Sequence, residues 1–267
     1  MHKATKMLKQ SISNIDLAIE VVDARAPYSS ENPTLQEIVQ KKPTIRVLSK
    51  SDFADPNITH QWLKFYHGKA LAIDLLQDKQ SRRKIITLCQ KALPDRGSIL
   101  KPIRAIIFGI PNVGKSTLIN TLAKRKIAKT GNEPAVTKAE QKIQIEKNFY
   151  ISDTPGIMFP SPKEEASGFK LGAIGSIRDT AMDYVGTAFY LVDSLEKTYP
   201  GVIEKRYQVT PSPSVEALIE KIGRTIGKRQ LHHISEKIVQ DFRHGRMGRL
   251  SLEMPERCFH DASVHPS

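Results

Sequence analysis

A chain of 267 residues with 39% hydrophobic content has room for one large or two modest domains and enough apolar residues for a real core. Its formal charge of +13 implies a polyanionic partner bound in a salt-dependent way, but does not separate RNA from DNA or an acidic membrane. Two isolated cysteines, Cys89 and Cys258, exclude a disulfide framework and point to a reducing compartment; no apolar stretch reaches the roughly 18 residues of a membrane span, and the spaced N-terminal lysines lack the apolar core of a signal peptide.

In chain order, Val22-Asp-Ala-Arg-Ala-Pro27 reads as a strand end and a turn. Thr44-Ile-Arg-Val-Leu48 predicts a strand that delivers Ser49-Lys50-Ser51-Asp52 at its carboxyl end, where open α/β sheets place their ligand sites. Pro94 to Ser98 and Lys101-Pro102 form a linker, about 94–102. A buried strand, Arg104 to Phe108, and a helix, Thr117 to Lys124, then flank Gly109-Ile-Pro-Asn-Val-Gly-Lys-Ser116. Gln141 to Glu146 and Asn148 to Ser152 predict neighbouring strands, the second entering Asp153-Thr-Pro-Gly156. Gly168 to Gly172 and Ala173 to Ile177 are glycine-rich and are expected to move with the state of the site. A boundary is expected around 179–184, followed by a helix over Val185 to Glu196. Val215, Leu218, Ile219, Ile222 and Ile226 recur at helical spacing, as the core stripe of a small helical domain.

Gly109, Gly114, Lys115 and Ser116 satisfy G-x-x-x-x-G-K-[ST] between a strand and a helix, the context a phosphate loop requires. Glycines let successive backbone N–H groups face phosphates, and the helix N-terminus adds its positive end. Asn112, Val113, Gly114, Lys115, Ser116 and Thr117 are therefore candidate nucleotide contacts. Lys115 is placed to bridge the β- and γ-phosphates as a catalytic group, and the Ser116 hydroxyl to bind Mg²⁺. Asp153, about forty residues on, is a Walker-B-type metal carboxylate, the Gly156 N–H can meet the γ-phosphate, and Thr137 is the candidate switch threonine that joins the metal with triphosphate bound. In Ser49-Lys50-Ser51-Asp52, the Asp52 carboxylate can accept from both the ring N–H and the exocyclic amine of guanine, a pairing adenine does not offer. Lys50 would lay its stem along the base. The usual guanine-reading pattern is Asn-Lys-x-Asp, so Ser49 stands where an Asn is expected. Weaker affinity with guanine preference kept follows, and Ser49→Asn is expected to tighten GDP binding. Because this tetrapeptide precedes the phosphate loop, the order points to a circularly permuted GTPase.

On these residues the chain resembles the YlqF/RbgA group of circularly permuted GTPases, nearly end to end. Val22 to Pro27 with Asn32-Pro33, Gly109 to Asn120, Ile127 to Gly131, Asp153 to Ile157 and Gly248-Arg-Leu-Ser251 carry the resemblance. It implies a permuted P-loop GTPase domain over 1–180, with a mostly parallel sheet, and a small all-α domain over 181–267. It implies a cytoplasmic, monomeric assembly factor for the large ribosomal subunit and its rRNA, without DNA or integral membrane association, using GTP/GDP, Mg²⁺ and a candidate K⁺ held by Asn112. Asp74 fills the place of the group's short polar guanine-contacting loop. The group's usual Trp-Phe-Pro-Gly-His would lie just before Met1, so the resemblance implies either a misassigned start site or catalysis without that segment's histidine, with His2 one place beyond. Ile157 stands where many small GTPases orient the attacking water, so a slow intrinsic rate, stimulated on the ribosome, is expected, and K⁺ can act in place of an arginine finger.

Between Lys197 and Arg249 eleven Lys or Arg face five Asp or Glu. Arg243, Arg246 and Arg249, beside His244, Gly245 and Gly248, form the densest group and are the candidate RNA contacts, suited to shape and phosphate recognition. His232 and His233 lack metal-ligand spacing partners. The competing class is an rRNA-binding module with a degenerate, weakly hydrolysing nucleotide site.

Overall fold

The computed structural model describes residues 12–127, 142–153 and 165–260. Six strands, β1 (Leu17–Asp23), β2 (Thr44–Ser49), β3 (Ala70–Ile73), β4 (Ile103–Phe108), β5 (Lys142–Glu146) and β6 (Phe149–Asp153), join in the order β3-β2-β1-β4-β6-β5. Every neighbouring pair is parallel except β5 with β6, which bears out the mostly parallel α/β expectation.

β1 is central, and all of its residues are buried. Leu17, Ile19 and Val21 enter the main core, while Ala18 and Val22 enter two smaller clusters. Such two-sided burial is why parallel strands read as apolar runs rather than as an alternation. The smaller clusters sit under α2 (Pro33–Val39), through Leu35 and Val39, and under α3 (Pro56–Phe65), through Ile58 and Trp62. Both helices have Pro in the first turn behind a side-chain cap: Asn32 accepts from the Leu35 N–H, and Asp55 from the Asn57 and Ile58 N–H groups. The one-turn α1 (Pro27–Ser30) precedes them. On the main-core side lie α4 (Ser81–Ala92), through Ile85 and Cys89, and α5 (Lys115–Ala123), through Leu118, Ile119 and Leu122.

The C-terminal part holds α6 (Glu165–Ala173), α7 (Tyr184–Thr198), α8 (Val202–Tyr207), α9 (Val215–Thr225), α10 (Leu231–Arg243) and α11 (Pro255–His260). α7 packs against α6 and α10. Leu218, Ile219 and Ile222 of the expected stripe are buried, as core. One contiguous apolar cluster contains both Ile107 of β4 and Leu191 of α7, so the core runs on across the boundary expected near residue 180. The segment read as glycine-rich and movable is mostly the regular helix α6. A Cβ on Gly172 would stand 3.0 Å from the Thr187 hydroxyl, so this glycine serves close helix packing.

Candidate nucleotide site

The loops after β1, β2, β3 and β4 all leave the carboxyl edge of the sheet, and they carry Asp23-Arg25, Lys50-Asp52, Asp74 and Gly109–Ser116 respectively. β1 lies between β2 and β4, where the strand order changes direction, so the phosphate loop and the segment expected to read the base face one another across its end. The Asp153 main chain ends β6 and pairs in register with Ile107 of β4, one strand beyond the phosphate loop.

In the phosphate loop Gly109 has φ +154°, and any Cβ there would collide with the Val21 carbonyl of β1, so only glycine lets the loop leave the sheet so closely. Gly114 caps α5 in a left-handed conformation, and Lys115, Ser116 and Thr117 make up the first turn of that helix. Lys115 Nζ donates to the Ile110 carbonyl at 2.6 Å, curling the lysine over the loop. Asn112 has φ +60°, and its Nδ2 donates to the Gly175 carbonyl at 2.8 Å, joining the loop to the turn after α6.

Ser49 is fully buried, and its hydroxyl lies within reach of the Val22 carbonyl (3.1 Å) and of the Val113 carbonyl in the phosphate loop. The position expected to substitute for an asparagine therefore fastens the base-reading strand to the phosphate loop. Lys50 has φ +55°, and its Nζ pairs with Asp23 at 2.9 Å. Asp23 also holds Arg25 at 2.8 Å, and both side chains are buried. Burial alone would push the Asp23 carboxyl up, but the Arg25 and Lys50 charges outweigh it and hold the group well below the usual carboxylate range. Burial pulls the Lys50 ammonium below its ordinary value against the attraction of Asp23. Asp52 is half-buried; burial lifts its carboxyl, its own N–H lowers it, and the Asp74 charge lifts it again. Asp74 accepts from the Leu76 and Gln77 N–H groups at 2.9 and 3.1 Å, organising its own loop at the edge of the site.

Asp23 and Arg25, which in the sequence read as a strand end and turn, form with Lys50 a buried charged hub at the end of β1. Arg25 reaches the Phe242 and Arg243 carbonyls at the end of α10, at 3.3 and 3.2 Å, and these contacts are invisible to local sequence. The three arginines expected to face RNA differ in their surroundings. Arg243 donates to Asp179 and to the Gly172 carbonyl, both at 2.8 Å. Arg249 donates to the Ala54 and Ser51 carbonyls, both at 3.0 Å. Arg246, exposed like Arg249, meets the buried Asp241, which Arg206 and Lys237 also flank. Gly245, beside these arginines, abuts Phe53, 2.7 Å from where its Cβ would stand. Thr137, Gly156, Ile157 and His2 lie outside the described residues, as does the Asp153 side chain. Among the described residues no three His, Cys, Asp or Glu group as a metal centre, and no helix is long and apolar enough to cross a membrane.

Comparison with known proteins bears on the family and the fold. Residues 104–222 match the family model of the 50S ribosome-binding GTPase. The chain is 37% identical over 272 residues to ribosome biogenesis GTPase A of Bacillus cereus, covering 96% of this chain and 92% of that one. It is 38% identical to the protein of that name from Bacillus pumilus, with 96% of each covered. The fold matches that of GNP-bound YlqF from T. maritima, with a TM-score of 0.66, 24% identity, and coverage of 95% of this chain and 99% of that one.

Proposed function

Because the chain belongs to the ribosome biogenesis GTPase A family, we propose that it binds and hydrolyses GTP as an assembly factor for the large ribosomal subunit, acting as a cytoplasmic monomer on rRNA or pre-ribosomal particles. The observation that carries this reading is the Ser49 link from the base-reading strand to Val113 of the phosphate loop, across the end of β1. It sets base and phosphate recognition side by side at one sheet edge, as a single nucleotide requires.

In this reading Asp52 accepts from guanine while Lys50, held by Asp23, lines the base. Backbone N–H groups from Asn112 to Ser116 face the phosphates at the start of α5, and Lys115 exchanges the Ile110 carbonyl for the β- and γ-phosphate oxygens. The Ser116 hydroxyl in the first helical turn, with Asp153 at the end of β6 and Thr137, offers the hard oxygen donors that suit Mg²⁺, which when bound neutralises charge on the β- and γ-oxygens. With its Nδ2 engaged by Gly175, Asn112 has its Oδ1 to offer to K⁺. The Gly156 N–H meets the γ-phosphate. Water attacks that phosphate in line, the bond to the β–γ bridging oxygen breaks, and Lys115 balances the charge on the departing GDP.

Among basic side chains, Arg246, Lys237 and Arg206 converge on one buried carboxylate and present a net positive face for phosphodiesters. The test is co-sedimentation with purified large-subunit particles in a non-hydrolysable GTP analogue, in GDP and without nucleotide. Retention that depends on the analogue and falls with salt is expected; equal retention in all three states favours the passive RNA-binding module.

A further inference from the structure

The segment after α10 lies along the base-reading loop as a strap. Leu250 N–H donates to the Phe53 carbonyl at 2.9 Å, and Arg249 donates to the Ser51 and Ala54 carbonyls that flank it. Asp55 N–H donates to the Ser251 hydroxyl at 3.1 Å, and Leu252 N–H to the Arg25 carbonyl at 2.7 Å. Leu250, Ser251 and Glu253 of the strap are buried. Loop carbonyls from residues 51, 53 and 54 thus find their donors in one remote stretch of chain, and Asp52 sits between two of them. A short loop whose backbone groups are satisfied from outside holds the conformation its partners dictate.

We propose that Arg249 and the strap from Gly248 to Glu253 are a positioning device for base recognition. They set the Asp52 carboxylate from the C-terminal region, so that guanine affinity and the seating of the strap are linked. This rests on the reading of Asp52 as the guanine acceptor. By reciprocity, a partner that lifts the strap weakens GDP, and bound nucleotide resists that lifting. None of these strap hydrogen bonds reaches the phosphate loop, so the effect falls on binding of the base rather than on chemistry.

The experiment is a double-mutant cycle on fluorescent GDP affinity with Arg249→Ala, Asp52→Ala and the double variant, alongside Arg249→Lys and Ser251→Ala. Thermal unfolding is recorded for each. Losing both guanidinium bonds is expected to weaken GDP by about tenfold and raise KM for GTP with kcat kept, with little further loss in the Asp52→Ala background. A lysine, a single point donor for two carbonyls, rescues only in part. Ser251→Ala, which leaves Arg249 in place, should show a smaller loss of the same kind. Fully additive losses, or Arg249→Ala with unchanged GDP affinity and weakened particle binding, overturn the proposal and return Arg249 to RNA contact. If Asp52→Ala alone leaves GDP affinity unchanged, the base-reading assignment itself falls, and the proposal with it.

Discussion

Ser49→Ala removes the one hydroxyl that joins the base-reading strand to the phosphate loop. That hydroxyl has a single hydrogen and two carbonyls within reach, those of Val22 and Val113. Val22 lies within a paired strand, whereas Val113 stands in the loop before α5, so the loss falls on the loop more than on the strand. A buried acceptor deprived of its donor costs about 1–3 kcal/mol. Part of that appears as global stability and part as loosening of the loop, so GDP affinity is expected to fall between about fivefold and thirtyfold. Fluorescent GDP titration, paired with thermal unfolding in the absence of nucleotide, separates the two shares. Ser49→Asn supplies two N–H donors and is expected to tighten GDP, provided the amide fits against Gly114, whose Cβ position lies only 3.5 Å from the serine side chain. An alanine variant that binds GDP with wild-type affinity would refute the strut between the two loops.

Three further outcomes follow from buried charge. Glu20, buried in β1 and near Glu31, has its carboxyl raised from 4.5 to about 7. The folded state therefore keeps a proton the unfolded chain releases, so stability is fullest below pH 4.5 and is lost as pH rises through 7, by up to about 3 kcal/mol. Glu20→Gln should flatten that slope in pH-dependent denaturant melts, and an unchanged slope would refute it. Asp23→Asn leaves Arg25 buried without its charge partner and is expected to cost about 3–5 kcal/mol in chemical denaturation; a loss below 1 kcal/mol contradicts the hub. Burial pushes the Cys89 thiol up to about 12, so alkylation of the native protein at pH 8 should modify the half-buried Cys258 and spare Cys89, as peptide mapping would reveal.

What the sequence disclosed and what it hid divide along local and long-range determinants. The phosphate loop was legible because glycines at fixed spacing stand between a strand and a helix, and the backbone takes positive φ at both Gly109 and Gly114. β4 and α5 were legible for the same local reason, through an apolar run and a helical period. The position of Ser49 was foreseen but its role was not: it departs from the usual asparagine, and only the register of β1 against β2 and β4 shows that it faces Val113. Arg25 and Arg249 were obscured because their partners lie roughly two hundred residues away, and charge in sequence does not reveal whether a guanidinium points at solvent or at a carbonyl. The glycines of α6 suggested mobility, whereas Gly172 admits a neighbouring helix.

The central claim is tested most directly by Mg²⁺-dependent GTP turnover in KCl, with and without purified large-subunit particles, for the wild type and Lys115→Ala. The account predicts slow basal hydrolysis, stimulation by the particles, and loss of that stimulation in the variant. Particle binding without turnover, or equal turnover by the variant, would contradict it.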